Sequence, residues 1–187
     1  MRKLFLLAAV LFFAALPARA QSGGNYPGIE IFGGYSYMNT KFADRHSLNG
    51  WGASAAFNLG SHWGLVGDFS GNYGHIDLSE LSGDPLDVGT SIGFSKYAYL
   101  AGPQYSARSK AVTGFAHVLV GGVSTKFSGA SQSSSGFALG LGGGVDVNVG
   151  KSLGVRLFQV DYLPEHSLGI WTNNVRLQAG LVFRIGS

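Results

Sequence analysis

Cysteine is absent from the 187 residues. That excludes disulfide scaffolding, thiol chemistry and a lipoprotein anchor, which needs a Cys at its cleavage site. Charge is scarce too, at 12% of residues, an odd composition for a soluble domain. After residue 20 no long hydrophobic run follows: the uncharged stretch from Phe127 to Val145, for instance, is dominated by Ser, Gly and Gln. No segment there reads as a transmembrane helix. What the chain has instead is 13% aromatics and 30 glycines.

The N-terminus reads as an export signal. Arg2 and Lys3 precede the apolar run Leu4 to Leu16, Pro17 breaks it, and Ala18-Arg19-Ala20 offers small residues where a signal peptidase reads. Cleavage before Gln21 is expected, since thirteen apolar residues fall short of the roughly 20 a spanning helix needs. The formal charge of +3 belongs to this signal, which holds three of 13 basic residues and none of ten acidic ones. The remainder is formally neutral, which gives no support for nucleic-acid binding. Residues 21–187 are short enough for one domain. For an apolar exported chain without a spanning helix, the remaining way across a membrane is a closed β-barrel.

Periodicity agrees, since it is nearly all of period two. Ile29, Ile31, Gly33, Tyr35 and Tyr37 alternate with Glu30, Phe32, Gly34, Ser36 and Met38. The sharpest run sets Phe137, Leu139, Leu141, Val145 and Val147 against Ala138, Gly140, Gly142, Gly144, Asp146 and Asn148. Eight such runs of about ten residues occur, the length of a tilted transmembrane strand. The seventh breaks parity: Arg156 alternates in step with Phe158, Val160 and Tyr162, whereas Gln159 and Asp161 do not. A lipid-facing Arg costs about 2–4 kcal/mol, so a β-bulge near Leu157–Phe158 is predicted. Pro103, beside Gly102, predicts a bulge or local break in the fourth strand.

Connections alternate in length. Short ones fall at Leu59–His62, Ala107–Val112 and Asn148–Ser152, long ones at Asn39–Leu48, Gly74–Thr90, Ser124–Ser135 and Leu163–Thr172. This is the rhythm of periplasmic turns and outward loops. Aromatics on the apolar face cluster toward the strand ends. Tyr35, Tyr37, Trp51, Tyr73, Tyr97, Tyr99 and Tyr162 lie toward one rim, and Phe57, Trp63, Tyr105 and Phe183 toward the other, as two interfacial girdles require. The predicted fold is therefore all-β, an eight-stranded antiparallel up-and-down transmembrane barrel over 21–187.

An eight-stranded barrel leaves a lumen that side chains can fill. The residues expected there are Glu30, Asp68, Lys96, Gln104, His117, Asp146, Arg156, Asp161, Arg176, Gln178 and Arg184. Strand order pairs Glu30 with Arg184, Asp146 with Arg156 and Asp161 with Arg176, because a buried unpaired charge is strongly unfavourable.

The pattern as a whole resembles the small outer-membrane β-barrels of the OmpA/OmpX type. One motif carries the resemblance further: Gln178-x-Gly180-x-x-Phe183-x-Ile185, polar, glycine, aromatic and hydrophobic at the spacing of the C-terminal signal read by barrel-assembly machinery. Many such proteins end on the aromatic residue, whereas this chain continues from Arg184 to Ser187. The resemblance implies outer-membrane lipids as surroundings and assembly machinery with periplasmic chaperones as partners during biogenesis. A monomer without cofactor or nucleic-acid partner is expected, and although larger relatives carry a peptidoglycan-binding domain after the barrel, none is expected here, where few residues follow the eighth strand.

Other chemistry has thin support. His46-Ser47 and His166-Ser167 could serve a lipid-modifying rim enzyme, but both fall in expected outer loops. His75, Asp77 and Glu80 match no established metal spacing. Gly140 to Gly144 lacks the strand-to-helix context of a phosphate loop and reads as inward glycines leaving lumen space. The leading expectation is a non-enzymatic barrel with a filled lumen, acting in envelope structure or surface interaction through its outer loops. A narrow gated pore and a rim enzyme are the alternatives.

Overall fold

The computed structural model describes residues 26–42, 44–77, 91–127, 133–167 and 169–186. The expected signal peptide lies outside them. Eight antiparallel strands follow in chain order: β1 (Ile29–Phe42), β2 (Asp44–Asn58), β3 (Trp63–Asp77), β4 (Ser91–Arg108), β5 (Val112–Phe127), β6 (Ser133–Asn148), β7 (Leu153–Ser167) and β8 (Ile170–Ile185). Each pairs with its sequence neighbour, and β8 pairs with β1 to close the barrel. Closure leaves no free sheet edge, which a hydrocarbon environment demands because unpaired backbone groups have no water there.

Alternation then sorts the side chains. On β1, Glu30, Phe32, Ser36, Met38 and Thr40 are buried in the lumen while Ile31 and Tyr35 face outward. Trp63 and Tyr73 both point out from β3, ten residues apart. At about 3.3 Å per residue and a tilt of about 40°, that spans about 25 Å, the height of the lipid-facing band. The rims carry ring contacts: Trp63 sits edge-on to Tyr105 at 5.3 Å, Tyr73 edge-on to Tyr97 at 6.1 Å, and Trp51 stacks on Phe69 at 5.9 Å.

The predicted bulge is present. Asp146 faces Arg156 but Val145 faces Phe158, and on the other side Arg156 faces Gly180 while Gln159 faces Gln178. Leu157 and Phe158 are consecutive and both exposed, whereas Arg156 and Gln159 are both buried. One extra residue thus keeps both polar side chains inside. Deleting Leu157 should therefore yield a regular strand with Arg156 and Gln159 still inward, and a barrel that keeps its heat-modifiable gel migration. Deleting Val160 instead removes the extra residue on the wrong side of Gln159, which turns Gln159 to lipid and Phe158 into the lumen, and should lower the heat-modifiable fraction. Loss of folding in the Leu157 deletion would contradict this account.

At Gly102–Pro103 the β4–β5 ladder is interrupted between Ala101↔Val120 and Gln104↔His117, with the same register on both sides. This is a local break and not a bulge, as a missing proline donor produces.

The long connections need correction. β1 runs to Phe42 and β2 starts at Asp44, where a loop over Asn39–Leu48 was expected. Likewise β5 and β6 extend to Phe127 and from Ser133, and β7 and β8 to Ser167 and from Ile170. These polar, Ser-rich segments stay paired because hairpin hydrogen bonds continue past the membrane even where no apolar face needs burying. His46, Ser47, His166 and Ser167 are thus strand residues rather than loop residues. Most of Gly74–Thr90 falls outside the described residues, with β3 reaching Asp77. The short turns lie where expected, at 59–62, 109–111 and 149–152.

Candidate functional site: the barrel lumen

Inward positions from all eight strands meet in a packed, polar interior. Near the short-turn end, Glu30 accepts hydrogen bonds from Arg108 Nη2 at 2.6 Å and Asn58 Nδ2 at 2.9 Å, with Arg184 Nε farther off at 3.4 Å. Asp146 accepts from Arg156 Nε at 2.8 Å and Nη2 at 3.2 Å. The Arg156 guanidinium is sandwiched between the Phe32 and Phe115 rings, 4.3 Å from each centroid. Cation–π attraction of this kind strengthens when the cation is desolvated.

Arg156 continues the chain upward. Its Nη1 donates to Gln159 Oε1 at 2.6 Å, and Gln159 Nε2 donates to Asp161 Oδ2 at 2.8 Å. Asp161 also accepts from Arg176 Nη2 at 2.7 Å and meets His117 Nε2 at 2.8 Å. From Arg176, Nη1 reaches across to Asp68 Oδ1 at 2.7 Å and Ser70 Oγ at 2.8 Å. Arg176 and Asp161 are both 0% exposed, so this four-strand clamp sits in the driest part of the molecule. Toward the other end, Lys96 Nζ pairs with Glu165 Oε2 at 2.6 Å, and Asn174 Nδ2 donates to the same oxygen at 2.9 Å.

The glycines make this possible. A Cβ at Gly142 would lie 2.0 Å from Asp161 Oδ1, and one at Gly144 would lie 2.8 Å from the Phe115 ring. A Cβ at Gly154 would lie 2.5 Å from Arg184 Nη1. The Gly140–Gly144 cluster is lumen space already occupied by side chains from other strands.

Of the eleven residues expected inside, all are buried, and the three expected pairings form. Gln104 bonds Ser106 Oγ at 3.2 Å. Gln178 is buried above Gly52, and neither of its amide atoms has a hydrogen-bond partner among the described residues. Gly180 faces inward on β8 while Phe183 and Ile185 face outward.

Sequence reading missed Arg108 and Glu165, although both share parity with inward neighbours, Ser106 on β4 and Leu163 on β7. It also missed that the lumen is not wholly polar. Met38, Leu48, Phe94, Leu100, Leu119 and Leu163 form a buried apolar cluster within the barrel, on the face where polar residues were the marker.

Of the candidates for rim catalysis or metal binding, those with described side chains are engaged elsewhere or stand apart, and the side chains of His46 and Asp77 lie outside the described ones. Ser167 Oγ bonds Ser134 Oγ at 3.0 Å while His166 lies against Trp171 at 5.1 Å. Ser47 Oγ is engaged with the Tyr37 hydroxyl at 2.8 Å. Among the described residues no group of three His, Cys, Asp or Glu could hold a metal. Glu80 lies outside them.

Solved structures share this architecture. Ail, the attachment invasion locus protein of Yersinia pestis, is 20% identical with a TM-score of 0.55, over 83% of this chain and 97% of that one. Neisserial surface protein A gives 13% identity and a TM-score of 0.62 over 87% and 100%. The outer membrane protein OprG of Pseudomonas aeruginosa gives 15% and 0.55 over 88% and 99%. At such identities the likeness is one of fold. No curated protein matches the sequence. The family model for the outer membrane protein beta-barrel domain matches residues 5–183, and with a closed eight-stranded barrel in view, the chain belongs to that family and resides in the bacterial outer membrane.

Proposed function

We propose that this barrel is a non-enzymatic, non-conducting scaffold, acting in envelope structure or surface interaction through its outward hairpins. The observation that carries the reading is the lumen: the guanidinium of Arg156 clamped between Phe32 and Phe115, then the Arg176 clamp to Asp68 and Asp161, place packed side chains across the barrel axis. The hairpins support the second half of the reading, since β7 and β8 extend past the Tyr162 girdle and display Ile170 and Trp171, 64% and 58% exposed. Ail, a protein of the same fold, is named for attachment and was solved with a heparin analogue.

On this reading outer-membrane lipids contact the aromatic girdles, and assembly machinery with periplasmic chaperones acts during biogenesis through Gln178, Gly180, Phe183 and Ile185. The barrel works as a monomer.

Planar-bilayer recording tests the lumen. The purified barrel should insert without steady openings. Steady unitary currents that vanish when Gly142 or Gly154 is enlarged would replace this reading with that of a narrow pore.

A further inference from the structure

We propose that the periplasmic mouth of the barrel is a built site for a phosphate-type oxyanion. A cavity of about 600 Å³ opens there, lined by Arg108, Lys110, Thr113, Asn148, Lys151 and Arg184, among others, and no carboxylate among the described residues lines it. The chain after Ala20 is formally neutral, so this concentration of positive charge is local. Among the described side chains at this end, five cations (Arg108, Lys110, Lys151, Arg156 and Arg184) stand against two carboxylates, Glu30 and Asp146.

Arg184 shows the excess at atomic level. It is 7% exposed, and its Nη1 and Nη2 have no hydrogen-bond partner among the described residues. Its two acidic neighbours are 3.4 and 3.8 Å away. Both are held more tightly by other cations, Glu30 by Arg108 at 2.6 Å and Asp146 by Arg156 at 2.8 Å. A buried guanidinium is normally satisfied by several acceptors, and here acceptors of opposite charge are short.

The cavity is held in shape before any ligand arrives. Asn148 Nδ2 donates to the carbonyls of Ser109 and Lys110, both at 3.2 Å, and Asn148 N donates to Ala111 O at 2.8 Å. Those bonds tie the 109–111 turn to the 149–152 turn. Lys110 and Lys151 therefore line the cavity from two tied turns, together with Arg108 and Arg184. Guanidinium forks and ammonium donors arriving from several sides suit a tetrahedral, multiply charged oxyanion better than a planar carboxylate. Phosphate of this kind can come from a soluble phosphorylated compound or from an anionic phospholipid headgroup of the inner leaflet.

The test uses the full barrel in lipid nanodiscs, read by amide shifts of Lys110, Gly150, Lys151 and Gly154. In phosphatidylcholine discs, pyrophosphate is titrated at constant ionic strength. In a second arm, discs containing phosphatidylglycerol are compared without titrant. Saturable shifts in the first arm assign a soluble ligand, and shifts appearing only in the second assign a headgroup. In either case Lys110→Gln/Lys151→Gln, whose side chains are exposed and outside the lumen network, should weaken the effect about tenfold or more, and Arg184→Gln should abolish it. Absence of localised shifts in both arms overturns the proposal. So do shifts that the lysine variant leaves unchanged, or that chloride reproduces at equal ionic strength.

Discussion

Arg176→Met is expected to destabilise the folded barrel by about 3–5 kcal/mol, the range for removing one partner of a buried ion pair. The substitution roughly preserves length, so the effect is electrostatic. Asp68 loses its ion-pair partner, Ser70 Oγ loses a donor, and Asp161 keeps only His117 and Gln159. All of these groups are buried, so water cannot substitute without entering the lumen. The measurement is the urea midpoint of folding in detergent micelles, with the slope compared to confirm that the same surface is exposed on unfolding. Arg176→Met combined with Asp68→Asn and Asp161→Asn should recover most of the loss, because the penalty comes from uncompensated charge. If the single variant unfolds at the wild-type midpoint, the clamp contributes nothing to stability. If the triple variant is worse than the single, the account by charge is wrong.

That a chain formally neutral after Ala20 hides such a clamp was partly legible. Alternation placed Asp68, Asp161 and Arg176 inward, because a strand's two faces differ by one residue and the lipid face tolerates no charge. The bulge was legible for the same reason: Arg156 and Gln159 stand at opposite parity, and only an extra residue reconciles them. Pairing between adjacent strands also followed from chain order. Arg176 to Asp68 did not, since β8 and β3 are not neighbours and their side chains meet across the lumen, a distance that local pattern does not encode.

Phe32 and Phe115 were hidden differently. Inward aromatics look like misplaced lipid-facing residues until the cation between them is seen. The apolar cluster around Leu48 and Leu119 was illegible on the same grounds, because binary pattern marks the inside of a small barrel by polarity. Strand ends were the weakest reading. Polar residues such as Ser133 to Ser135 and Thr172 suggest loops, yet backbone pairing does not require an apolar face, so the hairpins continue beyond the girdles.

The closing seam carries the second large effect. β1 and β8 meet with Gly34 opposite Gly180. A Cβ at Gly34 would lie 2.1 Å from Ala179 O, and one at Gly180 would lie 2.3 Å from Gly33 O and 2.5 Å from Gly34 Cα. Those atoms are backbone and cannot swing aside, so a side chain at either position must push the two terminal strands apart. Gly180→Val should destabilise the barrel by about 3 kcal/mol, at the upper end of the overpacking range, because the strained contact lies in the ladder itself. Gly33 provides the control: it is the next residue along β1, faces lipid, and has nothing within 4 Å of its Cβ position. Gly33→Val should be neutral or slightly stabilising, since valine favours strands and suits lipid. Gly180 also lies in the proposed assembly signal, so the measurement is refolding of the urea-denatured chain into detergent without any assembly machinery, scored by the heat-modifiable fraction. Gly34→Val, outside that signal, should fail alongside Gly180→Val in this assay. Were Gly34→Val to refold normally while Gly180→Val did not, the contact across the seam would not be the cause; were both to refold normally, closure would tolerate a side chain and Gly180 would be required only for recognition in the cell.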